Sequence, residues 1–202
     1  MSYQLLKQDV LFYQRFLKAN DLYKGSLNGI WDAKTDEADA LFVQQGQTIT
    51  QQFGMFDARS EANIITLAPK AQELARRFLS ILTKSGKDVR IISATRTYAE
   101  QDALYGKGRF GNTDLKVTNA KGGQSNHNFG IAWDIGLFEN GKYITADTKY
   151  KLIPALVLPE LNDLEWGGNW KTFPDLPHYQ LKALSESVAQ VRTLFEAGNV
   201  YV

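Results

Sequence analysis

The chain has 202 residues, of which 44% are hydrophobic and 22% are charged, a balance typical of a globular protein with a core of ordinary size. The formal net charge of +1 and the lack of a basic arm give no electrostatic basis for nucleic-acid binding, so we expect no nucleic-acid partner. No cysteine is present, which excludes a disulfide framework and thiolate metal ligands.

The sequence carries no recognisable export or membrane signal. The N-terminal residues lack a basic region followed by an apolar core, so no signal peptide is visible. No apolar run approaches the length of a membrane span. We therefore expect synthesis in the cytoplasm without a signal peptide, and we expect a monomer with no membrane span.

Residues 1–46 are predicted to form a separate helical unit. Apolar residues recur at helical spacing from Val10 to Leu17, which indicates a first helix. The pair Asn28-Gly29 predicts a turn after it. A second helix is predicted to begin near Asp32 or Thr35 and to end near Gly46.

Residues 46–63 are polar and rich in glutamine, which indicates a linker or an extended surface loop, and we place the linker at residues 47–66. The next helix begins at Pro69, which suits a first helical turn, and its apolar stripe runs from Ala71 to Leu82. Gly86 is predicted to end this helix. We take residues 67–202 as a second domain.

A buried strand is predicted from Val89 to Thr95, because the segment is β-branched and apolar. This strand brings Arg96 to its end. Thr97 and Glu100 have the spacing of a capping box, so a short helix should follow and fix the position of the arginine. Gln101 lies one turn further along that helix.

The segment Tyr105 to Gly123 has no periodicity and is long for a connection, so we predict a functional loop that forms one wall of a cleft.

The Asn140-Gly141 pair between apolar runs predicts a hairpin. The last helix is predicted to end at Gly198 and to place four apolar residues on one face, Leu184, Val188, Val191 and Phe195.

A strand with alternating residue types is predicted from residue 131 onward, after the loop Tyr105 to Gly123. Its large apolar positions are Ile131, Trp133, Ile135 and Leu137, and its other positions are Ala132, Asp134 and Gly136. The period of two predicts that the large residues face a core. A carboxylate is unusual inside a strand, and its small neighbours leave room beside Asp134.

The two histidines of the chain, His127 and His178, each lie near a carboxylate. Two neutral imidazoles and Asp134 would make a three-ligand set for zinc with a fourth position open, as a catalytic site requires. The alternative is that the histidines are solvated and that the aspartates cap turns. The spacing of these residues alone does not decide between the two interpretations.

Three segments carry a resemblance to a known family. They are Ser125-x-His127-x-x-Gly130-x-Ala132-x-Asp134, Glu165-Trp166-Gly167-Gly168-x-Trp170 and Asp175-x-Pro177-His178. Together they resemble the zinc peptidases of bacterial cell walls, the D-alanyl-D-alanine carboxypeptidase and L-alanyl-D-glutamate endopeptidase group that includes phage endolysins. The resemblance extends from about residue 67 to residue 181.

The resemblance implies roles for particular residues. It makes His127, Asp134 and His178 the zinc ligands. Asp175 falls at the position of the family's catalytic carboxylate, where many members have Glu. Arg96 matches an arginine that faces the substrate in the family. The alternatives are a turn-capping role for Asp175 and a surface ion pair for Arg96.

Two further residues are assigned to substrate binding, Ser125 and Gln101. Ser125 either hydrogen-bonds the substrate or orients His127. Trp166 and Trp170 are interpreted as packing residues, and Gly167-Gly168 indicates a close approach of backbone segments.

We therefore predict an α+β protein in which a small antiparallel sheet with flanking helices carries a zinc site, preceded by the N-terminal helical unit. The predicted activity is hydrolysis of peptidoglycan stem peptides, between L-alanine and D-glutamate, at the cell wall or in the periplasm after release or delivery. The alternatives are a D,D-carboxypeptidase, a non-catalytic zinc-containing wall-binding module, and a purely structural zinc. The unit 1–46 resembles small peptidoglycan-binding modules, or it is a helical pair that packs on the second domain.

Overall fold

The computed structural model describes residues 6–185 and 187–202, so the first five residues of the predicted unit 1–46 lie outside the described residues. The chain divides into two compact units. The first takes in the described part of Met1–Gln45 together with Arg96–Phe129 and Ala183–Val202, and the second comprises Gly46–Thr95 and Gly130–Lys182.

Helices and strands alternate irregularly along the chain. The helices are α1 (Lys7–Ala19), α2 (Ala33–Phe53), α3 (Ala58–Ile64), α4 (Pro69–Lys84), α5 (Tyr98–Gly106), α6 (Asp147–Tyr150), α7 (Pro154–Val157) and α8 (Val188–Ala197). The strands are β1 (Asp88–Ser93), β2 (Ala132–Glu139), β3 (Lys142–Ile144), β4 (Leu164–Trp166) and β5 (His178–Leu181). Short 3-10 turns occupy Asn126–Phe129 and Gly167–Asn169.

In the first unit, aromatic side chains join α1 to α5 and α8. The ring of Phe12 lies 5.7 Å from that of Tyr98 and 5.4 Å from that of Phe195. Phe129 also packs against Phe195, at 5.3 Å, and its carbonyl accepts a hydrogen bond from the hydroxyl of Tyr201. These contacts fix the end of the 3-10 turn Asn126–Phe129.

A buried glutamine organises the predicted turn of the N-terminal unit. The Oε1 atom of Gln14 accepts from the backbone N–H of Gly29 at 2.9 Å, and its Nε2 atom donates to the carbonyl of Ile30 at 2.8 Å. Because a buried amide must satisfy both of its ends, this side chain selects the turn conformation between α1 and α2.

Helix α2 differs from its prediction, since it continues past Gly46 to Phe53. A glycine costs only about 1 kcal/mol inside a helix, so it is a weak stop signal without other cues. Here a Cβ atom at residue 46 would lie 3.1 Å from Oε1 of Gln72, so the glycine allows close packing. The predicted helix end at Gly46 was wrong.

The segment 47–66, predicted as a linker, is mostly helical. Beyond α2 it contains α3, which is capped by the side chain of Asp57 through the N–H groups of Arg59 and Ser60. The predicted boundary at residue 46 therefore falls inside a helix. That residues 1–46 act as a module of their own stays a prediction.

The second unit is built on a five-stranded sheet in which four strands have the order β1-β2-β5-β4. The remaining strand, β3, pairs with the last three residues of β2, 137–139. All pairings of the sheet are antiparallel. Trp133 and Tyr179 are fully buried on one face, where their rings lie 5.9 Å and 4.7 Å from that of Phe78 on α4. The alternation predicted for β2 is thus confirmed.

Other local predictions have clear outcomes. Thr97 and Glu100 form the complete capping box of α5, and the hairpin turn has Asn140 and Gly141 at φ 51° and 73°, as a type I′ turn requires. Leu184 does not belong to the last helix: it is 73% exposed, and the side chain of Ser187 caps α8 after it. The sheet and its flanking helices confirm the α+β class.

Within the part of the chain that the structure describes, none of the helices has the length and apolar character that crossing a bilayer requires.

Candidate metal centre

The strand pairing of the second unit places a carboxylate beside an imidazole. Asp134 on β2 is the direct partner of His178 on β5, and side chains opposite each other in an antiparallel pair lie on the same face. Nδ1 of His178 lies 3.2 Å from Oδ1 of Asp134. The other face holds Trp133 and Tyr179, so the polar pair is separated from the core.

The strands around Asp134 are shaped by an irregularity and by a small residue. The register of β1 shifts between Ile91 and Ser93, and Ser93 then pairs with Asp134. Such bulges are frequent next to active sites, where they redirect side chains. At Gly136 a Cβ atom would lie 2.9 Å from the ring of Tyr143, so the space expected there is used for packing.

His127 lies in the 3-10 turn that precedes β2, and its side chain is buried. Its carbonyl accepts from the backbone N–H of Arg96 at 3.0 Å. The side chain of Asn128 donates to the carbonyl of Arg96 at 2.9 Å. The turn is therefore tied to the segment that carries the predicted arginine.

The three predicted ligands come together. His127, Asp134 and His178 each offer one ligand atom, and these atoms all lie within 4.8 Å of one another. Among residues 6–185 and 187–202, no other group of three or more His, Asp or Glu side chains is placed in this way. Two imidazoles and one carboxylate form a donor set that can hold a divalent metal ion.

Charges near His178 favour a cation at its ring. Burial lowers the pKa of His178, but the hydrogen bond and charge of Asp134, together with Gln180 and the charge of Asp175, raise this pKa above its usual value. A proton and a metal ion compete for the same ring nitrogen. The carboxylates that favour the proton therefore also favour a bound cation.

Asp175 lies in a loop held by backbone contacts to the 3-10 turn Gly167–Asn169. The N–H of Asp175 donates to the carbonyl of Gly167 at 3.1 Å, and Nε1 of Trp166 donates to the carbonyl of Leu176 at 2.9 Å. A Cβ atom at residue 167 would lie 2.7 Å from the carbonyl oxygen of Asp175. This confirms the predicted close approach at Gly167, and the side chain of Asp175 is exposed.

Arg96 is half-buried, and its guanidinium is oriented by Gln101. Its Nε atom donates to Oε1 of Gln101 at 3.0 Å, and Nε2 of Gln101 donates to the carbonyl of Ala120 at 2.9 Å. The side chain of Gln101 is fully buried, and the contacts given above are all with other residues of the protein. The nearby Asp102 accepts from the N–H of Gly122 at 2.7 Å.

The remaining predicted residues have mixed surroundings. Ser125 is half-buried, and its carbonyl accepts from the N–H of Asn128 at 2.9 Å. The ring of Trp170 packs 4.8 Å from that of His178, and Trp166 is occupied with the loop described above. Trp170 thus makes a packing contact, and the contact of Trp166 is a hydrogen bond to the loop before β5.

Sequence reasoning missed the role of Gln180 and assigned none to Glu165. Oε1 of Gln180 lies 3.0 Å from Nε2 of His178, and Nε2 of Gln180 donates to Oε2 of Glu165 at 2.7 Å. The sequence did contain a signal for Gln180, which is its spacing of two residues from His178. Residues two apart on a strand share a face, so a strand here places Gln180 beside the histidine.

The fold and the cluster define an α+β protein with a candidate catalytic metal centre, and comparisons with known proteins agree. A family model described as D-alanyl-D-alanine carboxypeptidase matches residues 118–181. The peptidoglycan L-alanyl-D-glutamate endopeptidase CwlK of Bacillus subtilis (strain 168) is 32% identical over 123 residues, which cover 57% of this chain and 73% of that protein. The chain therefore belongs to the family of peptidoglycan peptidases that contains this endopeptidase.

Among solved structures, the L-Ala D-Glu endopeptidase ChiX of Serratia marcescens is similar to this chain. The sequence identity is 27% and the TM-score is 0.49, with 63% of this chain and 89% of that one covered.

Proposed function

We propose that this peptidoglycan peptidase cuts the bond between L-alanine and D-glutamate, with zinc held by His127, Asp134 and His178. The observation that carries the proposal is the convergence of these three ligand atoms within 4.8 Å. The choice of bond is supported by the name of the relative from Bacillus subtilis.

The donor set fits zinc. Zinc binds imidazole nitrogen and carboxylate oxygen at about 2.0–2.2 Å, so two ligand atoms of a tetrahedral site stand roughly 3.3 Å apart. Nδ1 of His178 and Oδ1 of Asp134 are separated by 3.2 Å. When bound, zinc lowers the pKa of its water to about 7 and polarises the scissile carbonyl.

Asp175 is proposed as the general base and acid. Its carboxylate accepts a proton from the attacking water and delivers it to the leaving amine. The side chain is exposed, and its charge acts on the imidazole of His178. The hydrogen bond from its backbone N–H to the carbonyl of Gly167 supports a fixed position for the loop that carries this carboxylate.

Arg96 is proposed to bind a carboxylate of the stem peptide or to stabilise the oxyanion. A guanidinium can do either through two parallel hydrogen bonds. Gln101, assigned to substrate binding, is proposed to act through its contact with Nε of Arg96. Ser125 is proposed to bind the substrate or to orient His127.

The D,D-carboxypeptidase is the second candidate, since the matching family model carries that description. Such an enzyme must recognise the free C-terminal carboxylate, and amidating that group would leave a buried cation unpaired, at a cost of about 2–3 kcal/mol. An endopeptidase that works nearer the glycan has no such need.

The experiment compares stem peptides with free and amidated C-termini. We expect both to be cut at similar rates, and mass spectrometry of the products should show a new glutamate amine. Release of a single D-alanine, abolished by the amidation, would instead assign the carboxypeptidase activity.

The N-terminal helical unit is proposed to raise affinity for the insoluble wall. It exposes apolar side chains that no described neighbour covers, among them Ile30, which is 60% exposed. The proposed site of action is the cell wall or periplasm, reached after release or delivery, and the proposed state is a monomer.

A further inference from the structure

A chain of polar contacts leads away from the metal centre along the polar face of the sheet. His178 and Gln180 are two residues apart on β5, and Glu165 on β4 is the direct register partner of Gln180. The contacts are Nε2 of His178 to Oε1 of Gln180 at 3.0 Å, and Nε2 of Gln180 to Oε2 of Glu165 at 2.7 Å. The three side chains form a relay that ends at the carboxylate.

The relay has a direction, because its outer contact is a bond in which Glu165 accepts. The amide nitrogen of Gln180 donates to Oε2 of Glu165 and therefore faces that residue. The amide oxygen of Gln180 then faces His178. Since this oxygen also only accepts, the ring hydrogen of His178 must be on Nε2.

This direction decides which nitrogen of His178 is available to a metal ion. A neutral imidazole with its hydrogen on Nε2 has its lone pair on Nδ1, the atom that lies 3.2 Å from Oδ1 of Asp134. We propose that Glu165 and Gln180 are positioning residues that hold His178 in this tautomer, so that Nδ1 is the ligand atom. The inference rests on the metal site proposed above.

A purely structural role for the same residues makes a different prediction. Glu165 and Gln180 are a cross-strand pair, and such pairs stabilise a sheet whatever lies next to them. In that case, replacing Gln180 would change the thermal stability but leave the metal affinity and the His178 tautomer as they are. The two roles are therefore separable by measurement.

The first measurement is zinc affinity, from competition with a chromophoric chelator. Gln180→Met keeps the length of the side chain but removes the acceptor, and we expect binding about 10–100-fold weaker than wild type. In the double variant Glu165→Gln/Gln180→Glu the polarity is exchanged: the new amide donates to the new carboxylate, which still accepts from Nε2 of His178. We expect this variant to bind zinc about as tightly as wild type.

The second measurement is the tautomer, from long-range ¹⁵N–¹H NMR spectra of the zinc-loaded protein. Wild type and the double variant should show His178 with hydrogen on Nε2 and metal on Nδ1, and Gln180→Met should lose this uniform state. Tyr179→Phe is the matched control, because it lies between the two residues on β5, faces the core, and its hydroxyl has no hydrogen-bond partner in the described structure. It should leave both readouts unchanged.

Each outcome decides something. Wild-type zinc affinity and tautomer in Gln180→Met would overturn the relay, as would metal on Nε2 in the wild type. If Gln180→Met does not fold, the double variant decides alone, since weak zinc binding in that folded variant also overturns the proposal. A wild-type chain that holds no zinc would refute the proposed metal site itself, whereas unaffected variants of a zinc-binding chain would refute only the relay.

Discussion

At the scale of single residues, replacing Asp175 tests whether the metal site is catalytic or only binds a metal ion. Asp175 lies three positions before a predicted ligand, and its side chain is exposed rather than buried in a turn. Its backbone makes the turn contacts: the N–H donates to Gly167, and the carbonyl accepts from the N–H of His178 at 3.3 Å. These backbone contacts therefore hold the loop on both sides of this residue.

We therefore expect Asp175→Ala to retain zinc and fold while losing hydrolysis by about 10²–10⁴-fold, the usual contribution of a general base. Metal content is measured by elemental analysis and cleavage by chromatography of digested sacculi. Asp163→Ala, which removes another exposed carboxylate of the same unit, should behave as wild type. Cleavage by Asp175→Ala at a near wild-type rate would leave Asp175 as a turn residue, and loss of zinc would make it a ligand.

Arg96 carries the second prediction at this scale. The hydrogen bond from its Nε atom to Oε1 of Gln101 fixes the orientation of the planar guanidinium. A lysine has no fork, so Arg96→Lys should lower kcat/KM on the order of 10²-fold with unchanged zinc content. Arg90→Lys is the control, since Arg90 pairs with Asp88 on the surface. Equal loss in both variants would contradict the assignment.

At the scale of elements, the close contact between the 3-10 turn after β4 and the loop before β5 sets the geometry of the site. A Cβ atom at residue 167 would lie 2.7 Å from the carbonyl oxygen of Asp175 and 2.9 Å from Cβ of His178. Backbone atoms cannot yield locally, so an alanine must displace the loop that carries both residues.

We expect Gly167→Ala to lower the hydrolysis rate on the order of 10²-fold, because a displacement of about 1 Å at a catalytic group has this effect. Gly106→Ala is the control, because a Cβ atom at residue 106 meets nothing within 4 Å. The stability of this variant should equal or slightly exceed that of wild type. Rates are measured on a soluble stem peptide. A fully active Gly167→Ala enzyme would show that the contact does not govern the site.

Elements were predictable where a local signal decided them. The capping box of Thr97 and Glu100 and the Asn140-Gly141 hairpin are each fixed by neighbouring residues, and both form as predicted. The extension of α2 past Gly46 was not predictable in this way, since that segment has no apolar stripe and the glycine packs against Gln72 from a distant helix. Tertiary packing outweighs a weak local stop signal there.

At the scale of the whole molecule, the candidate site also combines features that local sequence predicts with features that only tertiary structure decides. The residue types and the resemblance indicated His127, Asp134 and His178, and the structure brings their ligand atoms together. The contact between Gln180 and Glu165 was not predictable, because it depends on strand register: Gln180 faces Glu165 only through the pairing of β4 with β5. A shift of one residue would turn every such side chain to the other face.

The N-terminal unit gives a prediction that the intact chain can test. Ile30 is 60% exposed, so Ile30→Ser should weaken binding to insoluble sacculi in a pull-down without changing cleavage of soluble stem peptides. Leu152→Ser, which removes a 56% exposed leucine outside this unit, is the control and should bind as wild type. Equal binding of all three proteins would refute wall recognition through Ile30 and favour a packing role for the helices.

Removing the metal should destabilise the molecule without unfolding it. The core side chains Trp133, Tyr179 and Phe78 lie on the face of the sheet opposite the cluster, so their packing does not depend on a bound cation. Free zinc at 100 times its Kd stabilises the folded state by about 2.7 kcal/mol, so chelation should lower Tm by roughly 5–10 °C. Thermal unfolding with and without chelator measures this shift. His178→Ala should show little further response to chelator, and an unchanged wild-type Tm would contradict a metal bound to the folded state.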